Sequence, residues 1–558
     1  MKKNTVKIAF LSILAIGGLA SCSDSWLDVA SKTESNSDNF YKTEEDGLRA
    51  LYACYDGWQR TVSDGPSFTV YQLTETMSDE CFGGTGNNDG RNTQILDRFD
   101  MNESPSYTDM HNTLWKSYYA AIFRCNEFID KGEEIEWKTE GLKETYLGEA
   151  RAIRALCYLD MVRLWENIPL LRHATSENVP QAEPDSVYQF IFSDLNYAIA
   201  NIPAKAYPKA DAANNDGHIT KYGAEAMLAR AYLFYSGFYG KEPDALGCTK
   251  ASALAACEDI INSGEFALVD DFNNLWPASS EDLTGGHVGL WAHENSTWAG
   301  PGNVETVLSM KFNYTGDYNG NNDGNKFQVM VGMRTGSLVY EGYGQGWGAC
   351  TVDPAFVSSY ASGDTRKNAS VIDATKLADY EKNYIADQRE YTGYFTRKYT
   401  PLSKHAVAGD GTLQHYTETV GAGDFQVSQF QDWVIVRYAD VLLMAAELGS
   451  SNAQAYYDQV RKRAFGDSFT SKPVSKENIM LERKYEFAFE GIRYWDELRQ
   501  GLDHAANEIA GTWDVLDGGV KSTITINAEN IKAKRGMIQI PLTQITLSDG
   551  VLKQNPGW

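Results

Sequence analysis

The segment Glu149-Ala150-Arg151-Ala152-Ile153-Arg154-Ala155-Leu156-Cys157-Tyr158-Leu159-Asp160-Met161-Val162 decides the fold class. With Tyr146 and Leu147 ahead of it, Ala150, Ile153, Arg154, Cys157, Tyr158 and Met161 recur at spacings of three and four, one face of an α-helix. The spacing predicts a helix over about 141–165 that stops ahead of Asn167-Ile168-Pro169, because a residue before proline is pushed out of the helical region. Alanines let a neighbouring backbone approach, and aromatic rings fill the gaps that remain.

Working outward, the same pattern recurs. Thr43 precedes Glu44-Glu45-Asp46, acids that favour a helix N-terminus. Leu48, Leu51, Tyr52, Tyr55 and Trp58 then mark one helical face. Further helices are predicted over about 110–131 (Trp115, Tyr118, Tyr119, Ile122, Phe123), 185–200, 221–238, 249–262, 436–449, 452–464 and 475–500. Alanine-rich helices alternating with aromatic ones predict antiparallel pairs, and repeated pairs predict a helical array of tetratricopeptide type, although the strict 34-residue consensus is absent. From about 265 to 432 helical periodicity gives way to Gly, Asn, Asp, Tyr and Trp, with turn sequences such as Asn-Asn-Asp-Gly at 321–324 and short strands expected at 304–313 and 391–399. The expected fold is mainly α: a tetratricopeptide-like helical-repeat scaffold carrying a loop-rich insert with short β-strands.

The chain has 558 residues, 50 Lys+Arg against 75 Asp+Glu, and a formal charge of −25. An acidic chain of this kind is a poor nucleic-acid binder, because a phosphate backbone needs a basic stripe. Residues 1–21 read as a signal peptide: Lys2, Lys3 and Lys7 precede an apolar run from Ile8 to Ala20, too short to span a bilayer. Leu19-Ala20-Ser21-Cys22 resembles a bacterial lipobox, which makes Cys22 the expected lipidation site. Cleavage before Cys22 removes three lysines and no acid, leaving −28. Seven further cysteines in so long a chain are no disulfide framework, and Cys54, Cys125, Cys157 and Cys257 sit in apolar helical patterns.

Several blocks together resemble the SusD-like (RagB/SusD) family of outer-membrane glycan-binding lipoproteins. They are Asn39-Phe40-Tyr41-Lys42-Thr43-Glu44-Glu45-Asp46, the 149–162 helix with Asn167-Ile168-Pro169-Leu170, the 221–233 helix, and Arg437-Tyr438-Ala439-Asp440-Val441-Leu442-Leu443-Met444-Ala445-Ala446-Glu447. The stretch from Glu482 to Gly501 and the ending Gln554-Asn555-Pro556-Gly557-Trp558 complete the match, while about 270–430 carries no strong motif. Ser23-Asp24-Ser25 is similar to the acidic surface-export signal of Bacteroidetes lipoproteins. The resemblance implies a lipid-anchored protein on the outer face of the outer membrane, with no other membrane contact. It would close as a lid over a SusC-like TonB-dependent transporter and deliver a neutral glycan to it. The implied organisation is a signal peptide (1–21), a lipidated tether (22–43), an N-terminal helical-repeat part (44–265), a ligand-binding insert (266–432) and a C-terminal helical part (433–558).

Catalytic signals are weak. Neither GxSxG, a P-loop nor HExxH occurs, and His287 and His293 lack a metal-ligand spacing. Asp317-x-Asn319-x-Asn321 starts like a calcium loop but has Asn322 where glycine is required. No cofactor or metal is expected. Glu482, Arg483, Glu486, Glu490, Arg493 and Asp496, interleaved with aromatic residues, predict a structural salt-bridged framework. Binding chemistry is better represented, because sugars stack C–H faces on aromatic rings and pair hydroxyls with Asp, Asn and Arg. Two regions qualify. One holds Asp79, Cys81, Phe82, Asn87, Asn88, Asp89 and Arg91; the other holds Trp291, Trp298, Tyr314, Tyr318, Tyr340, Tyr343 and Trp347, the last two flanked by glycines that would leave them exposed. Trp276, after Phe272 and Leu275, reads as core. Two alternatives stay open: the same lid with a peptide cargo, and a surface glycoside hydrolase working through carboxylates.

Overall fold

The computed structural model describes residues 40–63, 68–204, 217–280, 297–312, 324–335, 342–377, 379–407, 410, 413–417, 426, 429 and 431–558. The signal peptide, Cys22, Trp291, Tyr314, Tyr318, Tyr340, His287, His293 and the 317–322 turn lie outside the described residues.

Helix α1 spans Glu44–Gln59 and starts on a capping box: Asp46 donates its N–H to the Thr43 hydroxyl at 3.3 Å, and the Asp46 carboxylate accepts from Thr43 N–H at 2.9 Å. Short α2 (Val70–Thr76), β1 (Cys81–Gly84) and α3 (Asn92–Arg98) follow. Then come the long helices α4 (Asn112–Lys131), α5 (Leu142–Trp165), α6 (Pro184–Asn201), α7 (Lys221–Tyr239) and α8 (Lys250–Asn262), with a minimal β2–β3 pair (Ile168–Pro169, Gln181–Ala182) between α5 and α6. α1 packs on α4, and from α4 to α8 each helix packs on the next. Small residues set the spacing as expected: a Cβ at Gly57 would stand 2.9 Å from the Ala121 backbone. Tyr52, expected on the buried face of α1, points outward at 51% exposure, and Ala50 and Cys54 take the buried face instead.

The insert carries β4 (Thr306–Met310), β5 (Ala349–Val352), β6 (Val371–Asp373), β7 (Tyr394–Thr396), β8 (Ser403–Val407) and β9 (Leu413–Thr417), all in two-stranded pairs. β4 pairs antiparallel with β10 (Trp433–Arg437), which ties the insert to the C-terminal part. The array then resumes: α9 (Tyr438–Leu448) packs on α8, and α10 (Ala453–Phe465) on α9. The rest comprises α11 (Lys476–Glu486), α12 (Arg493–Leu498), α13 (Leu502–Ile509), the hairpin β11–β12 (Gly511–Asp517, Val520–Ile526) and a last helix α14 (Leu542–Leu547).

The helix expected over 475–500 is broken. Between α11 and α12 the chain turns, with Phe489 and Gly491 at positive φ. The physical reason lies far away in sequence. Gly491 N–H donates to Glu75 at 2.5 Å and Phe489 N–H to Glu80 at 3.2 Å, and both acids are buried. Two backbone donors that a continuous helix would have consumed are thus aimed at α2 and β1.

The charges flanking that turn are a structural frame, as the sequence predicts, and a larger one. Arg366, Lys398, Arg437, Arg461 and Arg463 meet Glu305, Asp364, Glu482, Glu486 and Glu490, five cations for five carboxylates, all buried or nearly so. Arg437 grips Glu490 with Nε at 2.8 Å and Nη2 at 2.9 Å, and Glu486 with Nη1 at 2.9 Å; it also pairs with Glu305. Trp276 is core, 2% exposed, with the Lys398 ammonium 4.3 Å above its ring. Burial alone would raise the Glu486 carboxyl, but Arg463, Arg437 and Arg366 outweigh it and bring it down to about 2. The seven cysteines beyond the tether are free thiols, all buried.

Two outcomes follow from this frame. Arg437→Ala leaves Glu305, Glu486 and Glu490 without their shared cation and is expected to cost about 3–5 kcal/mol in urea denaturation, or to prevent folding. Glu80 gives the opposite sign with pH: burial first, and Asp79 second, push its carboxyl up to about 8 from 4.5. Its contribution is complete below about pH 4.5 and is lost as pH rises toward 8, because the fold must either keep a proton or bury a charge. Glu80→Gln is therefore expected to match wild type in thermal stability at pH 4.5 and to exceed it increasingly between pH 5 and 8.

Candidate functional site

The two regions singled out in the sequence, 79–91 and 340–350, are neighbours in space. β1 and β5 run antiparallel with Cys81 opposite Val352, Phe82 opposite Thr351 and Gly84 opposite Ala349. The pairing continues past the strands: Thr85 N–H donates to Gly348 O at 2.8 Å, and the Gln388 amide donates to the same oxygen at 2.9 Å. Phe82 packs beneath, its ring centroid 5.1 Å from that of Trp513 on the β11–β12 hairpin.

Above this floor the loop from Thr85 to Arg91 forms a polar rim. Gly86 N–H donates to the Asp89 carboxylate at 2.8 Å and Asp89 N–H donates to Gly86 O at 3.0 Å, two reciprocal bonds that close the turn. The buried Arg389 guanidinium donates to three loop carbonyls, those of Asn87 and Asp89 at 2.8 Å and Gly90 at 3.2 Å. Glu390, the next residue, holds the strand below, accepting from Gly84 N–H at 2.9 Å and from Arg98 at 2.5 Å. Arg334 lies between two half-exposed acids, with Asp387 at 2.9 Å and Asp89 at 3.7 Å. Asn88 is exposed, and Arg91 reaches back to Glu103 at 2.9 Å. The half-exposed ring of Tyr107 stands against this rim, its hydroxyl so close to Gly90 that a Cβ there would collide with it. Gly518, at the tip of the β11–β12 hairpin, abuts the Asn87 amide.

Asn88 and Arg91 lie on this rim, together with Asn87 and Asp89. Three other expectations are corrected. Asp79 is enclosed by Arg493 at 2.7 Å and Lys484 at 2.7 Å; burial opposes its ionisation, but those two cations hold its carboxyl well below the ordinary range. It belongs to a separate structural ion cluster. Phe82 is 2% exposed and belongs to the floor. Tyr343 is buried with Met333, Tyr380, Tyr391 and Phe395. Its glycine neighbours serve chain packing rather than exposure: Gly346 lies directly on Gly332, and Gly344 N–H donates to Pro401 O at 2.8 Å. Trp347 is half-buried with the Lys326 ammonium 5.8 Å from its ring, and Trp298 is half-buried on a separate segment that hydrogen-bonds Asn274 through Ala299.

Sequence reasoning missed Tyr107, Arg334, Asp387 and Arg389. Tyr107 had a signal, an aromatic ring within the turn Ser104-Pro105-Ser106-Tyr107. The other three lie more than 240 residues from the loop they support, and no local pattern joins them to it.

The rim gathers a half-exposed tyrosine, a guanidinium, two carboxylates and two carboxamides. Such a set can stack a pyranose and bond its hydroxyls in both directions. Among the described residues no group of three or more His, Cys, Asp and Glu could hold a metal ion, and no helix is long and apolar enough to cross a membrane.

With this geometry in hand, comparison with known proteins is direct. A model described as the SusD family matches residues 305–558, and one described as starch-binding associating with outer membrane matches 25–233. The chain is 24% identical over 528 residues to SusD-like protein P38 of Formosa agariphila, covering 89% of this chain and 92% of that protein. It is also 24% identical over 525 residues to a SusD-like protein of Bacteroides ovatus, covering 89% and 82%. Among solved structures, a laminarin binding SusD-like protein superposes with TM-score 0.68 at 25% identity, covering 93% of this chain and all of that one. Surface glycan-binding protein A from Bacteroides thetaiotaomicron, in complex with laminarihexaose, gives TM-score 0.69 at 21% identity over 92% of this chain and all of its own.

Arg389 makes the rim's order testable. Charge-assisted hydrogen bonds contribute about 1.5–3 kcal/mol each. Arg389→Ala is therefore expected to speed amide exchange across 86–91 by about tenfold or more, while protection in α4 to α8 stays unchanged.

Proposed function

Because the chain belongs to the SusD family, we propose that it is a cell-surface glycan-binding lipoprotein, anchored through Cys22, that captures a neutral oligosaccharide for a SusC-type TonB-dependent transporter. The observation that carries this reading is the rim: the half-exposed Tyr107 ring lies against Gly90, next in the chain to the exposed Asn88 and Asp89, with Arg334 paired to Asp89, on a floor where β1 and β5 join the N-terminal helices to the insert. Stacking supplies affinity without regard to charge, and the hydroxyl partners supply orientation.

The charge balance supports a neutral cargo. A mature charge of −28 repels polyuronates and sulfated chains at low salt, and a neutral polymer feels no such field. The architecture supports a lid. The helical array on either side of the insert forms one continuous scaffold, suited to facing a transporter, while 266–432 supplies the ligand face together with the 85–91 loop. Closure by hinged motion belongs to the pair of proteins, and the energy for import belongs to the transporter. Hydrolysis is not part of this reading; both rim carboxylates, Asp89 and Asp387, pair with Arg334.

Affinity electrophoresis of the soluble chain lacking 1–22, against neutral and acidic polysaccharides and a peptide panel, tests the proposal. Retardation is expected from a neutral glycan and from neither polyuronates nor peptides. Tyr107→Ala and Asn88→Ala are each expected to weaken it by about three- to tenfold, the range of one aromatic or polar contact. Reducing ends released by the wild type and lost on substitution of Asp89 or Asp387 would overturn the binder reading.

A further inference from the structure

A second concavity, with no lining residue from the rim, opens between α4, the chain after β2 and the C-terminal helix α14. Its volume is about 280 Å³, the lower end of the range for ligand sites. Half-buried Tyr119 on α4 forms one wall, backed one turn earlier by the 3% exposed Trp115, with ring centroids 5.1 Å apart. They are held in place: Tyr119 donates its hydroxyl proton to Pro169 O at 2.9 Å, and Trp115 packs edge-on against Trp165 at 5.1 Å. The polar part of the lining comes from Lys116, Glu177, Asn178, Gln544 and Ser548, and Leu547, also in the lining, is 65% exposed.

Helix α14 links the pocket to the rim. Of the seven large hydrophobic side chains exposed among the described residues, Leu542 and Leu547 are its two ends, and Tyr107 lies one residue before Thr108. Leu542 N–H donates to Thr108 O at 3.1 Å, which places the start of α14 beside Tyr107. α14 has six residues, about 9 Å of helix, and ends at the pocket's Leu547. A chain resting on Tyr107 has a short apolar path across Leu542 into the pocket.

We propose that this pocket is a second carbohydrate subsite, taking one terminal sugar ring of the oligosaccharide whose body lies on the rim; this rests on the carbohydrate reading above. The ring would stack on Tyr119, and its hydroxyls would pair with the Gln544 and Asn178 amides, the Lys116 ammonium and the Glu177 carboxylate. The volume suits one ring and excludes a helix. A mixed set of ammonium and carboxamide groups suits a polyhydroxylated ligand better than an aliphatic side chain, which would leave those groups unused.

Calorimetric titration of the soluble wild-type chain with a length series of the neutral oligosaccharide it retains tests this. Leu547→Arg puts a long charged arm across the mouth from a position already in solvent, so the fold is spared, and Gln544→Ala removes one hydroxyl partner. Both are expected to weaken the longest oligomers by about tenfold, one contact's worth of affinity, and to leave the shortest bound oligomer unchanged, whereas Tyr107→Ala weakens every length. Equal affinities for all lengths in wild type and both pocket variants would overturn the subsite and leave the rim reading standing. Saturation transfer from the wild type to N-acetyl-leucinamide, abolished by Leu547→Arg, with none to methyl glycosides, would overturn it in favour of an apolar peptide side chain. Binding of no glycan at any length would overturn the rim reading and the subsite together.

Discussion

Five buried cations matched to five buried carboxylates are the constraint on which the rest of this structure depends. Single buried ion pairs are poor stabilisers, because desolvation can exceed the Coulomb gain. Here most of the charges are shared: Arg437 serves three acids, Glu486 is met by three arginines, and Arg366 donates to Asp364 at 2.7 Å and to Glu482 at 2.6 Å. Such an arrangement tolerates few alternative packings, since moving any member leaves several charges unpaired in a low-dielectric interior. The members come from the residue before β4, the rest of the insert, β10, α10, α11 and the turn after α11, so the network fixes how the insert sits on the helical array.

That fixation reaches the rim through carboxylates and backbone donors. Glu75 and Glu80 hold the turn between α11 and α12 against α2 and β1. Glu390 holds β1 and α3, and Arg389 holds the loop above by its carbonyls. Two adjacent residues of the insert thus order a loop from the N-terminal part. A loop held by its own carbonyls leaves its side chains, among them Asn88 and Asp89, turned to solvent. This is pre-organisation: little rotamer or backbone entropy is left to lose when a ligand arrives.

Much of the scaffold was legible because helices announce themselves locally. The 3.6-residue period of apolar residues and the cap at Thr43 placed the long helices to within a residue or two. The frame around Glu486 was legible as a type, since charges at helical spacing among aromatic residues are seldom solvated. The break at 487–492 was not legible, because the acids that demand it are about 400 residues away. Burial at single positions failed for the same reason. Tyr343 and Phe82 carry rings suited to a sugar platform, and nothing nearby in sequence says that Tyr380 and Trp513 will cover them. Tyr107 shows the converse, a ring in an ordinary turn that the fold leaves half open beside Gly90.

The sequence by itself determined that the chain is a helical array interrupted by a loop-rich insert, that its surface is acidic, and which family it resembles. Those are properties of periodicity, composition and short motifs, each readable within a few turns of chain. Only the tertiary structure decided that the 79–91 and 340–350 segments share one floor, that Arg334 and Arg389 organise the rim, and that a second pocket lies a short helix away. Those are properties of long-range pairing. Which hydrogen-bond and charge partners meet is set by burial and desolvation in the folded core, and no local window of residues contains both halves of such a pair.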